Sequence, residues 1–119
     1  MLGAADAQGG REERIEPIGE REFGVPLSEG GLHAGEWETS LMLAIHPDLV
    51  HMEDAQAGFT GDLQEALGSL FAAGGVAALS ANGAIGDPSS SSAEHGQRYW
   101  AAAVDLAAEQ IALAQTGEG

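Results

Sequence analysis

A single short segment of this chain, residues 76–81 (Val-Ala-Ala-Leu-Ser-Ala), reads as a β-strand, closed by the turn pair Asn82-Gly83. One strand cannot hydrogen-bond both of its edges or build a sheet, so this pattern predicts part of a layered α/β fold with too few strands to stand alone. Helical periodicity surrounds it. Trp37, Leu41, Ala44 and Ile45 recur on one face, which predicts a helix from about Glu36 to Ile45 that stops before Pro47, whose ring excludes helical backbone at His46. Leu63, Ala66, Leu67, Leu70 and Phe71 mark a second amphipathic helix, with Gly74 as its stop. Ser91 and Glu94 stand at capping-box spacing. A last helix is expected from there to about Ala114, with Trp100, Ala103, Val104, Ala107 and Ile111 as its buried stripe. Residues 1–22 are glycine-rich and then charged, and are expected to be a mobile acidic segment; residues 116–119 are a short tail.

Charge excludes several functions. Nineteen acidic residues face four arginines, no lysine is present, and the formal charge is −15. Nucleic-acid binding requires clustered cations to displace phosphate counterions, and Arg11, Arg14 and Arg21 lie among glutamates. A phosphate-binding Gly-x-x-x-x-Gly-Lys is ruled out for want of lysine. Such acidity suits a protein kept soluble at high salt, where self-repulsion is screened, so a halophilic source is one expectation and an acidic interaction surface the other. Without cysteine there are no disulfides or thiolate metal sites. No apolar run approaches the roughly 18 residues of a membrane span, and residues 1–10 lack a signal-peptide pattern, so a soluble, cytoplasmic protein is expected.

Chemistry concentrates in residues 31–40, Gly-Leu-His-Ala-Gly-Glu-Trp-Glu-Thr-Ser, where a glycine-rich loop becomes a helix. Glu36 and Glu38 fall in the first helical turn, which favours carboxylates. A histidine ahead of that turn can pair with Glu38, which would fix its tautomer for proton transfer near neutral pH. Spacing leaves the plainer alternative of a loop histidine beside a helix-start glutamate. Thr39 and Ser40 are expected to satisfy backbone groups, Trp37 to be core, and His95 to be surface or interface. His51-Met52-Glu53-Asp54 offers metal-ligand residue types, although a solvated acidic loop explains it more simply. The run of serines at 89–92 lacks a Gly-x-Ser-x-Gly elbow, which disfavours a serine hydrolase.

His-Ala-Gly-x-x-Glu-Thr-Ser followed by Leu-Met-Leu and by Pro47-Asp48-Leu49-Val50 resembles the creatininase (creatinine amidohydrolase) family. Gly83-Ala84-Ile85-Gly86-Asp87-Pro88 and then Ala93-Glu94-His95-Gly96 are similar to a second block of that family, in the same order. The resemblance places residues 23–115 in the C-terminal portion of a three-layer α/β/α creatininase-like domain. It implies a metal-dependent amidohydrolase that cleaves a non-peptide amide or cyclic amide bond with metal-activated water. By the same resemblance His33 and Glu38 are the catalytic pair, and Trp37, Gly86 and Asp87 border the substrate pocket. The implied cofactor is a pair of zinc or manganese ions whose ligands precede the His-Ala-Gly block, and no Glu-x-His occurs among the thirty-two residues before His33. Glu29 stands where creatininase proper is expected to carry a tryptophan, which tilts the substrate away from creatinine. A formylamide hydrolase of flavin-type cofactor biosynthesis is the alternative within the family. A non-catalytic remnant serving as an assembly or binding piece is the alternative outside it. The implied partners are a small-molecule substrate, a homo-oligomer such as a hexamer, or a separate N-terminal half.

Overall fold

A computed structural model describes residues 16–72 and 74–117. We label the helices α1 (Glu16–Phe23), α2 (Leu27–Gly30), α3 (Glu36–Ile45), α4 (Leu63–Leu70), α5 (Gly75–Leu79) and α6 (Ala93–Gln115). Three 3₁₀ turns, Pro47–Leu49, Met52–Asp54 and Pro88–Ser90, punctuate the connections. The expected mobile segment at 1–22 lies largely outside the described residues, and its last part is α1.

Among the described residues no strand forms; extended backbone pairs only at two isolated bridges, His33 with Ile85 (antiparallel) and Phe59 with Ile85 (parallel). The run expected to be a strand is instead α5. Its Val-Ala-Ala-Leu is short and alanine-rich, which favours helix where no neighbouring strand supplies a ladder. Gly74 and Gly75, both at positive φ (104° and 53°), turn the chain into it, and Ser80 leaves it in extended backbone. The described part of the chain is therefore mostly helical.

The expected α3 and α4 are present. Pro47 terminates α3 as its ring predicts, and the Asp62 carboxylate caps α4 by accepting from Gln64 N–H. Phe71, expected on the apolar stripe of α4, lies just past its end and is 89% exposed. At α6 the cap is Ser92 rather than Ser91: the Ser92 hydroxyl accepts from His95 N–H. Ser91 is one residue outside and donates instead to the Glu36 carbonyl, 3.2 Å away.

The centre of the molecule is the crossing of α3 and α6. Gly96 makes it possible, since a Cβ there would stand 1.8 Å from the Ser40 carbonyl oxygen. That close approach buries Glu36 completely. A buried carboxylate is tolerated only when donors replace its water, and Glu36 has three. Tyr99 O–H donates to Oε1 at 2.7 Å, Ser40 O–H donates to Oε2 at 2.9 Å, and His95 Nδ1 lies 2.6 Å from Oε2. Ser40 Oγ in turn accepts from Ser92 N–H at 3.1 Å, tying the cap of α6 to the same network. On the far side α1 closes the cluster. Phe23 stacks on the His95 ring with centroids 3.7 Å apart, and Gly19 faces the Tyr99 hydroxyl at a distance that leaves no room for a side chain.

These contacts correct two expectations. His95 is not a surface residue: its side chain is 17% exposed, because the Glu36 carboxylate and Phe23 enclose it. The buried face of α6 runs through Gly96 and Tyr99, whereas Trp100, Val104 and Ile111 are 39%, 62% and 59% exposed. Helical spacing identified an apolar stripe, but the partner α3 meets the neighbouring face. Trp100 is held beside α3 by its indole N–H, which donates to the Leu41 carbonyl at 3.1 Å.

Replacing Gly96 by valine should separate α3 from α6 and lower the unfolding free energy by about 3 kcal/mol or more, measured by urea denaturation. Tyr99 supplies a second test. Burial first, then the hydrogen bond to Glu36 and that carboxylate's charge, hold its phenol well above its ordinary value of about 10. With the folded value raised above the unfolded one, the stability it contributes is intact below about pH 10 and is lost as pH rises further. Because the chain has one tyrosine, its ultraviolet tyrosinate signal should stay absent until alkaline unfolding begins. Tyr99→Phe should flatten the fall in stability above about pH 10 while lowering stability at neutral pH.

Candidate active site at the histidine loop

The loop ahead of α3 is fixed by backbone contacts before any side chain is considered. Ile85, fully buried, is the peg. Its carbonyl accepts from Leu32 N–H (2.8 Å) and His33 N–H (3.3 Å), and its own N–H donates to the His33 carbonyl at 2.7 Å. Gly31 must be glycine: φ is 76°, and a Cβ would lie 2.0 Å from the Ile85 carbonyl oxygen. The peg is held from its other side by Phe59 N–H on the Ala84 carbonyl and Gly58 N–H on the Gly86 carbonyl, both at 2.9 Å. Asn82 ties the same two segments together, donating to the Ala57 carbonyl at 3.1 Å while its Oδ1 accepts from Ala84 N–H at 3.1 Å.

His33 itself is exposed on this rigid mount. No hydrogen bond joins its ring to Glu38 among those of the described residues. Glu38 Oε1 instead accepts from Ala34 N–H at 2.9 Å. The reason is local: helix-start N–H groups have no partner within the helix, and a carboxylate in the first turn reaches back to satisfy one. Ala34 has φ 55°, the one non-glycine residue at positive φ among the described residues. Its carbonyl faces the Thr39 hydroxyl across a long contact of 3.5 Å. Thr39 thus serves the backbone as expected, while Ser40 serves the Glu36 carboxylate and the α6 cap.

Of the three expected pocket residues, Gly86 and Asp87 brace the loop and Trp37 borders a cavity beside it. Trp37 is half-buried and lines a small cavity of about 20 Å³ together with Val25, Leu27, Gly31, Glu36 and Tyr99; its indole N–H is buried and without a hydrogen-bond partner. Gly86, at φ 143°, is packed so closely that a Cβ would meet the Glu29 carbonyl oxygen and the Gly35 Cα at 2.8 Å. Asp87 N–H donates to the Glu29 carbonyl at 2.9 Å, and the Asp87 carboxylate accepts from Ser89 N–H at 3.0 Å, capping the 3₁₀ turn that follows. Next to Ala34 and Thr39 opens a wider cleft of about 290 Å³, walled also by His51, Met52, Asn82 and Pro88.

His51 pairs with Glu53 at 3.4 Å on the surface, and His46 with Asp48 at 3.7 Å. Among the described residues no group of three or more His, Cys, Asp or Glu side chains is placed to hold a metal ion, so the metal pair implied by resemblance does not fit the residues described here. What the loop does present is an accessible imidazole on a fixed backbone, a group that can accept or donate a proton. Sequence reasoning missed the Glu36–His95–Tyr99 cluster behind it. The available signal was the pairing of a first-turn glutamate and a first-turn histidine on two helices, with Gly96 allowing those helices to touch.

Comparison with known proteins places these features in a family. Residues 14–111 match the family model described as Creatininase: creatinine amidohydrolase. The chain is 43% identical over 83 residues to the mycofactocin precursor peptide peptidase of Mycobacterium ulcerans, covering 70% of this chain and 33% of that protein. It is 39% identical over 89 residues to the protein of the same name from Mycolicibacterium smegmatis, covering 73% of this chain and 36% of that one. The Mycobacterium tuberculosis protein of that name is 41% identical over 83 residues, 70% of this chain and 33% of its own length. The chain thus spans about a third of the length of the curated relatives it matches. No solved structure matches it. With the family model covering most of its length, this chain belongs to the creatininase family.

Proposed function

We propose that this chain is the His33-bearing portion of a cytoplasmic creatininase-family amidohydrolase whose substrate is a peptide. The observation that carries the reading is the family match over residues 14–111, with His33 exposed on a loop whose backbone is held by Ile85 and by the Glu38 carboxylate on Ala34 N–H. The relatives are named as precursor peptide peptidases, which moves the substrate from the expected non-peptide carbon–nitrogen bond to a peptide bond. Glu29, where a creatinine-contacting tryptophan was expected, agrees with that change. In this reading His33 delivers a proton to the departing amine nitrogen, and the cleft beside Ala34 and Thr39 receives the chain of the substrate. Metal ligands would come from polypeptide outside the described residues, within the three-layer α/β/α domain expected of the family. The exposed apolar residues Trp100, Val104, Ile111 and Phe71 support assembly with such polypeptide or with further copies of the chain.

A chimera tests the reading. Residues 14–111 of this chain, the part that matches the family model, would replace the corresponding segment of the Mycolicibacterium smegmatis relative, and cleavage of the mycofactocin precursor peptide would be followed by mass spectrometry. The chimera should cleave, and His33→Ala within it should lower kcat by about a hundredfold or more. A folded chimera that does not cleave, or one indifferent to His33→Ala, overturns the proposal. The halophilic reading has its own check: with a formal charge of −15, the thermal midpoint of this chain should rise as salt is raised from about 0.1 to about 1 M.

A further inference from the structure

We propose that Glu38 acts on the histidine loop as a backbone positioning residue, gripping with Thr39 the two peptide units that flank Ala34 and so fixing where His33 stands. The inference rests on reading His33 as the proton-transferring group. It differs in what it asks of Glu38.

Ala34 N–H belongs to the peptide unit shared with His33, and Ala34 C=O to the one shared with Gly35. Glu38 Oε1 accepts from the first at 2.9 Å, and Thr39 O–H points to the second at 3.5 Å. Holding both peptide planes sets the backbone angles between them. The φ so imposed is 55°, which an alanine adopts only at a cost in steric strain. The surroundings allow no slack. Gly35 is buried, and a Cβ there would lie 2.3 Å from the Gly30 carbonyl oxygen, while the His33 carbonyl is already committed to Ile85 N–H. The Glu38 grip acts with this packing to hold Ala34 against relaxation toward ordinary negative φ. Glycine at position 34 would take this φ freely, and other values just as freely. Alanine under a clamp gives one conformation.

The two roles for Glu38 make different chemical demands. Orienting and charging an imidazole requires a negative carboxylate on the ring. Clamping Ala34 requires an acceptor oxygen, which glutamine also carries. It also requires a residue at position 34 that resists positive φ, so removing that resistance should make the clamp dispensable for stability, though not for fixing the loop.

The test uses Glu38→Gln, Glu38→Ala, Ala34→Gly and the double variant Ala34→Gly with Glu38→Ala. In this chain, without substrate, amide hydrogen exchange at Ala34 is read by NMR alongside the melting midpoint. Glu38→Ala should speed exchange at Ala34 about tenfold and lower the midpoint, whereas Glu38→Gln should stay within about threefold of the parent. The double variant should recover the midpoint although the amide at position 34 stays unprotected. In the chimera Glu38→Gln should keep kcat above that of Glu38→Ala, and the double variant, whose position 34 is free to leave this φ, should stay as slow as Glu38→Ala. If Glu38→Gln is as damaging as Glu38→Ala in exchange and midpoint, or if glycine fails to restore the midpoint, the clamp is overturned. Should Glu38→Ala not fold, the Glu38→Gln and Ala34→Gly single variants decide by the same exchange and midpoint readings. A chimera without activity together with the expected exchange pattern would refute the hydrolase reading and leave the clamp standing.

Discussion

A carboxylate sealed from solvent at the crossing of two helices organises this structure. Glu36 sits in the first turn of α3, where unpaired N–H groups favour negative charge, and receives Tyr99, Ser40 and His95 from the surrounding elements. A buried charge of this kind is costly unless every oxygen is engaged, so the elements that bring its donors are constrained together. Gly96 must be small for α6 to approach, Gly19 must be small for α1 to close over Tyr99, and Ser92 must cap α6 within reach of Ser40. The arrangement fixes the start of α3, and the histidine loop is the stretch of chain that enters it.

From that fixed start the site is assembled mainly by backbone. Glycines at 31, 35 and 86 pack carbonyls and Cα atoms against one another with no room for a Cβ. Ile85 carries the bridges on both sides. Positions that a motif reading assigns to substrate contact, Gly86 and Asp87, hold the loop to its neighbours through their main chain. Close packing of this sort explains why a family block can be dense in glycine and still define rigid geometry.

How far the sequence revealed this depended on how local each determinant was. The limits of α3 were readable because Gly35 and Pro47 flank it, and α4 because its apolar spacing is regular. His33 could be singled out from its motif alone. The segment at 76–81 was misread because a short apolar run suits strand or helix equally, and neighbours decide. The buried face of α6 was misplaced for a related reason: two apolar faces share that helix, and only the position of α3 selects between them. Glu36 and His95 lie fifty-nine positions apart, so their contact has no local signature. The direction taken by Glu38 turned on a left-handed alanine, a conformation that residue type does not announce.

Ile85 has a consequence beyond packing. The connection through Gly58 and Phe59 and the loop bearing His33 attach to opposite sides of the same short stretch, residues 84–86. The three segments are therefore linked mechanically in series through the consecutive peptide groups of residues 84–86. A displacement of the 58–59 backbone has a direct route to the imidazole mount, although no side chain of that connection hydrogen-bonds to the histidine. Gly58 must keep its bare backbone, since a Cβ there would stand 2.0 Å from the Ala84 carbonyl oxygen, and drift of the main chain there would be felt at the histidine as a change of position, with the chemistry of the ring untouched.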